Sequence, residues 1–186
     1  MDEKDRIIFL DIDGVLNGES KLSLFMYKIF YFFHKELWLK EKLNIFSVQE
    51  KKMKILSEIV KRTDAKIVLC AAMRFTWFNV PYEMQRKKCK RLSLFLYKYN
   101  LDIIDVTPNM HDGYTREDEI NSWLLTHKDM VSSYIIIDDE NELYPHLGEK
   151  HLVRTSSDNS KISGLSKKHI NEALNLFNKQ ESLLDD

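Results

Sequence analysis

The sequence predicts an α/β fold: a parallel sheet with helices on both faces and a small helical insertion after the first strand. Two observations carry that prediction. Short apolar runs alternate with longer segments of helical spacing, the order expected of strand–helix–strand units. The runs are also apolar almost throughout, with no polar residue at every second position, as in strands covered on both faces. The length, 186 residues, fits one domain spanning 1–186 with room for a small insertion and a real core.

The elements follow in order. Arg6 to Leu10 reads as a strand. Lys21 to Lys42 reads as one or two helices, inside an insertion from 17 to 47. Val48 to Lys61 is an amphipathic helix in which Ile55, Leu56, Ile59 and Val60 recur. Asp64 to Leu69 leads into a second strand. Tyr82 to Tyr99 reads as a helix, basic on one side. Asp102 to Thr107 is a third strand. Thr115 to His127 is a helix with Thr115 as its N-cap and acidic residues in its first turn. Tyr134 to Asp139 is a fourth strand, His151 to Thr155 a short fifth, and Ser166 to Leu184 a closing helix.

Composition narrows the function classes. The formal net charge is −1, so no global basic field advertises nucleic acid. Hydrophobic residues make up 44% and charged residues 31%, the balance of a soluble globular protein. Two cysteines, Cys70 and Cys89, suggest no disulfide framework, and a reducing cytoplasm is the expected setting. The N-terminus lacks the pattern of a signal peptide. Leu22 to Leu39 is aromatic and apolar, but Lys28, His34, Lys35 and Glu36 interrupt it, leaving too little for a membrane span. A helix packed on the domain is weighed above a membrane-surface role.

Ligands of such sheets sit beyond the carboxyl ends of the strands, so the residues there matter most. After the first strand comes Asp11-Ile12-Asp13-Gly14. Carboxylates at i and i+2 of an extended chain point the same way, and holding them together is costly without a cation. After the fourth strand come Asp138, Asp139 and Glu140. If the two strands are neighbours, these acids converge and call for a divalent cation, Mg²⁺ being suited to carboxylates combined with phosphate oxygens. Arg116 stands in the first turn of a helix, where the dipole disfavours a cation; a charge aimed back at an anion beside the acids explains it. The histidines have no metal-ligand spacing, and no glycine-rich phosphate loop is present.

"FLDIDGVLN", then "KIVL…R", then the Arg116 helix start, then "IIIDD" resembles the haloacid dehalogenase (HAD) superfamily of Mg²⁺-dependent phosphohydrolases, over roughly residues 6–170. "TREDEINSWL" resembles the R-x-x-E-I-x-x-W-L stretch of the subgroup named for "Swiss Army knife" RNA-repair proteins, and "HLVRT…GLS" its closing segment. The resemblance implies a Rossmann-like fold and a phosphomonoesterase working through an aspartyl-phosphate. Asp11 would be the nucleophile and Asp13 the general acid, then base. Asp11, Asp13 (through its carbonyl) and one or both of Asp138 and Asp139 would hold Mg²⁺, and Arg116 would stabilise the transferring phosphoryl group. Phosphate contacts would come from Arg116, Arg74 and the end of the second strand. There the superfamily carries Ser or Thr, whereas this chain reads Cys70-Ala71-Ala72-Met73-Arg74; either Cys70 or Ala71 takes the hydroxyl's place. The insertion at 17–47 falls where the superfamily carries its smaller cap.

Two readings of function stand side by side. One is a phosphohydrolase acting on a nucleotide or nucleic-acid phosphate end, with nucleic-acid contact through the basic run Arg86, Lys87, Lys88, Lys90 and Arg91. The other, favoured by the missing hydroxyl, is a catalytically impaired relative that binds a phosphorylated ligand or a protein.

Overall fold

The computed structural model describes residues 4–17, 48–85, 87–110, 113–155 and 164–183, apart from the side chains of 87 and 88. Beyond Asn17, the expected cap insertion at 17–47, with its aromatic segment 22–39, lies outside the described residues, as does Arg86.

Five strands form one parallel sheet: β1 (Asp5–Leu10), β2 (Lys66–Leu69), β3 (Ile103–Val106), β4 (Val131–Asp138) and β5 (Leu152–Arg154), in the order β3-β2-β1-β4-β5. The helices are α1 (Glu50–Thr63), α2 (Lys87–Lys98), α3 (Arg116–His127), the single turn α4 (Gly148–His151) and α5 (Lys168–Ser182). The chain winds outward from β1 through β2 to β3, then crosses back to β4 and β5. This reversal puts a topological switch point at the end of β1, where open sheets of this kind place their ligands.

β1 is central, and its sequence says why: Ile7, Ile8, Phe9 and Leu10 are all buried, so both faces are covered. On one face Ile8, Leu10, Ile67, Leu69, Ile135 and Ile137 pack beneath Met53, Leu56 and Ile59 of α1, Leu92 and Leu96 of α2, and Ala173 and Phe177 of α5. The α1 residues recur at three-residue steps, so they form one stripe, and each buried side chain of this size contributes about 1.5–3 kcal/mol. On the other face Ile7, Phe9, Val68, Cys70 and Ile136 pack under Ile120 and Trp123 of α3. Trp123 meets Phe9 edge-on at 5.4 Å, and its Nε1–H donates to Asp105 of β3 at 2.7 Å. Arg6 forks onto Glu181 of α5 at 2.6 and 2.7 Å and donates to the Thr63 carbonyl at 2.9 Å, tying the start of β1 to the ends of α1 and α5. No helix among the described residues is long and apolar enough to cross a membrane.

Several boundaries differ from the sequence expectation. The helix expected at 82–99 begins at Lys87; ahead of it lie two 3₁₀ turns, Ala72–Thr76 and Tyr82–Met84. β4 begins at Val131, three residues earlier than expected, because its polar start is paired: Asp5 sits opposite Val131 and Arg6 opposite Ser133. His151 closes α4, so β5 starts at Leu152.

His169, in the first turn of α5, is 1% exposed. Its Nδ1 accepts the Ser166 N–H at 2.9 Å. Burial, followed by the nearby Lys168 and Lys52 ammoniums, pushes its pKa down to about 4. The unfolded chain protonates this ring near pH 6.5 and the folded chain does not, so His169 contributes stability that is complete above pH 6.5 and lost as pH falls toward 4. Urea midpoints at pH 7 and pH 5 should therefore differ more in wild type than in His169→Asn.

Candidate active site

The register of the sheet assembles the site. Leu10 pairs with Ile137 on one side and Leu69 on the other, and Leu69 pairs with Val106. One residue further on, the ladder continues through Asp11 N–H to the Ile137 carbonyl, Cys70 N–H to the Leu10 carbonyl and Thr107 N–H to the Leu69 carbonyl, all at 3.0 Å. Thr107, Cys70, Asp11 and Asp138 thus form a row across the carboxyl edge. Side chains along such a row share a face, and it is the α3 face, because Phe9, Val68 and Ile136 lie two residues back in that core.

Asp11 and Asp138 are 7% and 2% exposed. Burial pushes the Asp11 pKa up to about 7, Asp138 adds to it, and the Arg116 guanidinium opposes it. Arg116 reaches in from the start of α3, where Thr115 and Asp118 form a reciprocal capping box. Its Nη1 donates to Asp11 Oδ1 at 3.1 Å and to the Cys70 carbonyl. Asp138 is held at both oxygens: the Tyr144 hydroxyl donates to Oδ2 at 2.5 Å and the Glu140 N–H to Oδ1 at 2.9 Å. Asp139 is half-buried, and burial, then Asp138, pushes its pKa up to about 6. Oxygens of Asp11, Asp138 and Asp139 lie within 4.8 Å of one another.

This geometry meets its counterpart in comparison with known families. Residues 7–170 match the family described as "HAD domain in Swiss Army Knife RNA repair proteins". The chain belongs to this family. No curated protein matches it.

In this HAD domain an all-oxygen trio of carboxyl groups facing one guanidinium fits a hard divalent cation, and the raised pKa values of Asp11 and Asp139 mark the crowded charge it would neutralise. The trio is made of carboxylates, and the Asp13 carboxylate stands outside it, as expected of a residue whose metal contact would be its backbone carbonyl. It is exposed, and Asn17 Nδ2 donates to its Oδ1 while Asn17 Oδ1 accepts the Gly14 N–H at 2.8 Å. The register separates Cys70 from Ala71: Cys70 faces the acid row, and Ala71 joins the opposite core. Burial pushes the Cys70 thiol up to about 12, against the pull of Arg116, so it is a neutral group.

Arg74 departs from the expected phosphate contact. Its Nε donates to the Thr107 carbonyl at 3.0 Å, Nη1 to the Cys70 and Ala71 carbonyls at 3.0 Å each, and Nη2 to the Pro108 carbonyl at 3.2 Å. Nη2 also pairs with Glu119 at 2.6 Å. A guanidinium has five N–H donors, and these five acceptors engage them all. Arg74 is 3% exposed and clamps the ends of β2 and β3 to α3. The basic run is also partly committed: Arg91 Nε donates to the Val48 carbonyl at 2.8 Å and Lys90 to the Glu83 carbonyl at 3.1 Å.

Sequence reasoning assigned no role to Tyr144, Asn17 or Glu119. Asn17 closes the quoted motif and Glu119 lies in the R-x-x-E stretch, so both were in view. Tyr144 sits in an irregular turn six residues past Asp138, where no periodicity points to it.

Gly14 has φ +76°, and a Cβ there would lie 2.1 Å from the Asp139 carboxyl carbon. Gly14→Ala therefore strains the backbone and displaces a member of the acid trio. The variant should lose about 1–3 kcal/mol in urea unfolding and bind divalent cations measurably more weakly by calorimetry.

Proposed function

We propose that this HAD domain is a Mg²⁺-dependent phosphomonoesterase that works through an aspartyl-phosphate on Asp11. One observation carries the reading: the sheet register sets Asp11 beside Asp138, with Arg116 bonded to Asp11 from above the same edge. A nucleophilic carboxylate, an acid trio and one guanidinium are what phosphoryl transfer needs, namely positioning and charge stabilisation.

Asp11 would attack phosphorus through a carboxylate oxygen as the ester P–O bond breaks, leaving the phosphoryl group on Asp11. Asp13, exposed and oriented by Asn17, would give its proton to the departing alkoxide. It would then take one from the water that hydrolyses the acyl phosphate, releasing inorganic phosphate. Arg116 and the backbone amide of Ala71 would hold the phosphoryl oxygens. Asp11, Asp138, Asp139 and the Asp13 carbonyl would hold Mg²⁺, which when bound supplies charge neutralisation at the phosphoryl oxygens. A nucleotide or a nucleic-acid phosphate end is the proposed substrate, supported by the RNA-repair family description.

Phosphate release from p-nitrophenyl phosphate and a nucleotide panel should require Mg²⁺, and Asp11→Asn should lower it by on the order of 10³ or more. Turnover without Mg²⁺, or turnover that survives Asp11→Asn, would rule the mechanism out. The buried, neutral Cys70 thiol favours a second reading, a binding protein without turnover. Restoring the hydroxyl separates the two: Cys70→Ser should raise kcat by roughly tenfold or more, and Ala71→Ser, facing the other core, should not.

A further inference from the structure

Arg74, Glu119 and Arg116 form a closed circuit at the edge of the candidate site. Arg74 Nη1 and Arg116 Nη1 both donate to one acceptor, the Cys70 carbonyl. On the far side both guanidiniums meet one carboxylate: Arg74 Nη2 lies 2.6 Å from Glu119 Oε1, and Arg116 Nε lies 3.9 Å from Glu119 Oε2. The three side chains are 3%, 13% and 17% exposed in the order Arg74, Glu119, Arg116, so solvent screens them little.

The charges explain the arrangement. Two guanidiniums converging on one carbonyl repel each other, and at low exposure that repulsion is substantial. Glu119 lies between them and offsets it. Arg74 has no freedom, since protein acceptors take all its donors. It therefore fixes Glu119 Oε1, and Glu119 Oε2 is left facing the Nε edge of Arg116, three residues back on the same helix. Hydrogen-bonded at Nη1 to Asp11 and Cys70 and faced at Nε by the Glu119 carboxylate at ion-pair distance, Arg116 has a charged neighbour at each end of its plane. Its Nη2 has no hydrogen bond to the described residues.

We propose that Glu119 is a positioning residue: anchored by Arg74, it sets the plane of the Arg116 guanidinium against Asp11. This rests on the phosphohydrolase reading for its consequence, because Arg116 is there the group that receives the phosphoryl oxygens. In geometric terms the inference stands apart from that reading.

Two measurements test it on the full chain. The first is the Arg116 Nε–Hε signal in ¹⁵N NMR, assigned by its loss in Arg116→Lys. In Glu119→Gln this signal should shift and exchange faster with water, and an unmoved signal overturns the inference whether or not the protein turns over substrate. The second is steady-state hydrolysis of p-nitrophenyl phosphate with Mg²⁺. Glu119→Gln should lower kcat roughly 10–100-fold with KM within about threefold of wild type, the split expected when a group meets the transition state in the wrong orientation. A wild-type kcat in the variant overturns the inference. Glu119→Gln leaves Arg74 buried without its carboxylate, so if it does not fold, Arg74→Met/Glu119→Met removes both charges and must show the same NMR change and kcat loss. If the signal moves while wild-type protein shows no Mg²⁺-dependent turnover, the phosphohydrolase reading falls and the positioning role remains.

Discussion

Asp11 and Asp138 cannot avoid each other. β1 and β4 pair Leu10 with Ile137, and the next residue on each strand is an aspartate. Adjacent strands run about 4.8 Å apart, a separation at which two unit charges repel by ~3 kcal/mol even at an effective dielectric of ~20. Burial raises the cost further, and the chain meets it with several donors at once. Tyr144 and the Glu140 amide take the oxygens of Asp138, and Arg116 takes Asp11. The Asp11 pKa still stands at about 7, so the compensation from protein groups is incomplete. A cluster left in that condition is primed for a cation.

Much of the surrounding architecture follows from holding this unfavourable row in place. Gly14 turns the chain at positive φ and leaves the space that the Asp139 carboxyl fills. Thr155 Oγ1, at the end of β5, donates to the Gly14 carbonyl at 3.0 Å, fastening the turn from the other side. Leu165 N–H bonds the Val15 carbonyl at 2.9 Å, and Gly164 has no Cβ because one would lie 2.5 Å from that same carbonyl. Thus the loop carrying the first two acids is pinned by residues far along the chain. The hydrophobic layers on both sides of β1 supply the stability against which this concentrated charge is set.

The fold was legible because its signals were local. Apolar runs and helical spacing identified every strand, and the acids at the ends of β1 and β4 were conspicuous by position. What the sequence could not show was anything decided by a neighbour distant in the chain. Arg74 illustrates this: four residues past Cys70, it looked like an anion ligand, but the carbonyls of Thr107 and Pro108 and the Glu119 carboxylate claim its donors. Separating Cys70 from Ala71 likewise needed the register, since a shift of one residue reverses the face. Ser133 hid the start of β4, because its partners, Arg6 across the sheet and Glu181 on α5, lie far off in the chain.

The altered end of β2 is best understood through its backbone. A thiol at Cys70 removes a hydroxyl donor, since a thiol donates weakly, but the Cys70 carbonyl collects both guanidiniums, Arg74 and Arg116. A carbonyl that accepts from two cations is polarised, and peptide resonance passes that polarisation to the following amide, the Ala71 N–H. The amide is then a stronger donor than an ordinary backbone N–H. The same contact that orients Arg116 therefore strengthens the neighbouring backbone donor, and a small side chain at Ala71 keeps the approach to that amide open. In this geometry the strand end presents its main chain to the site, and under the proposed function the side chain at position 70 would adjust the rate while Arg116 stays anchored on the backbone.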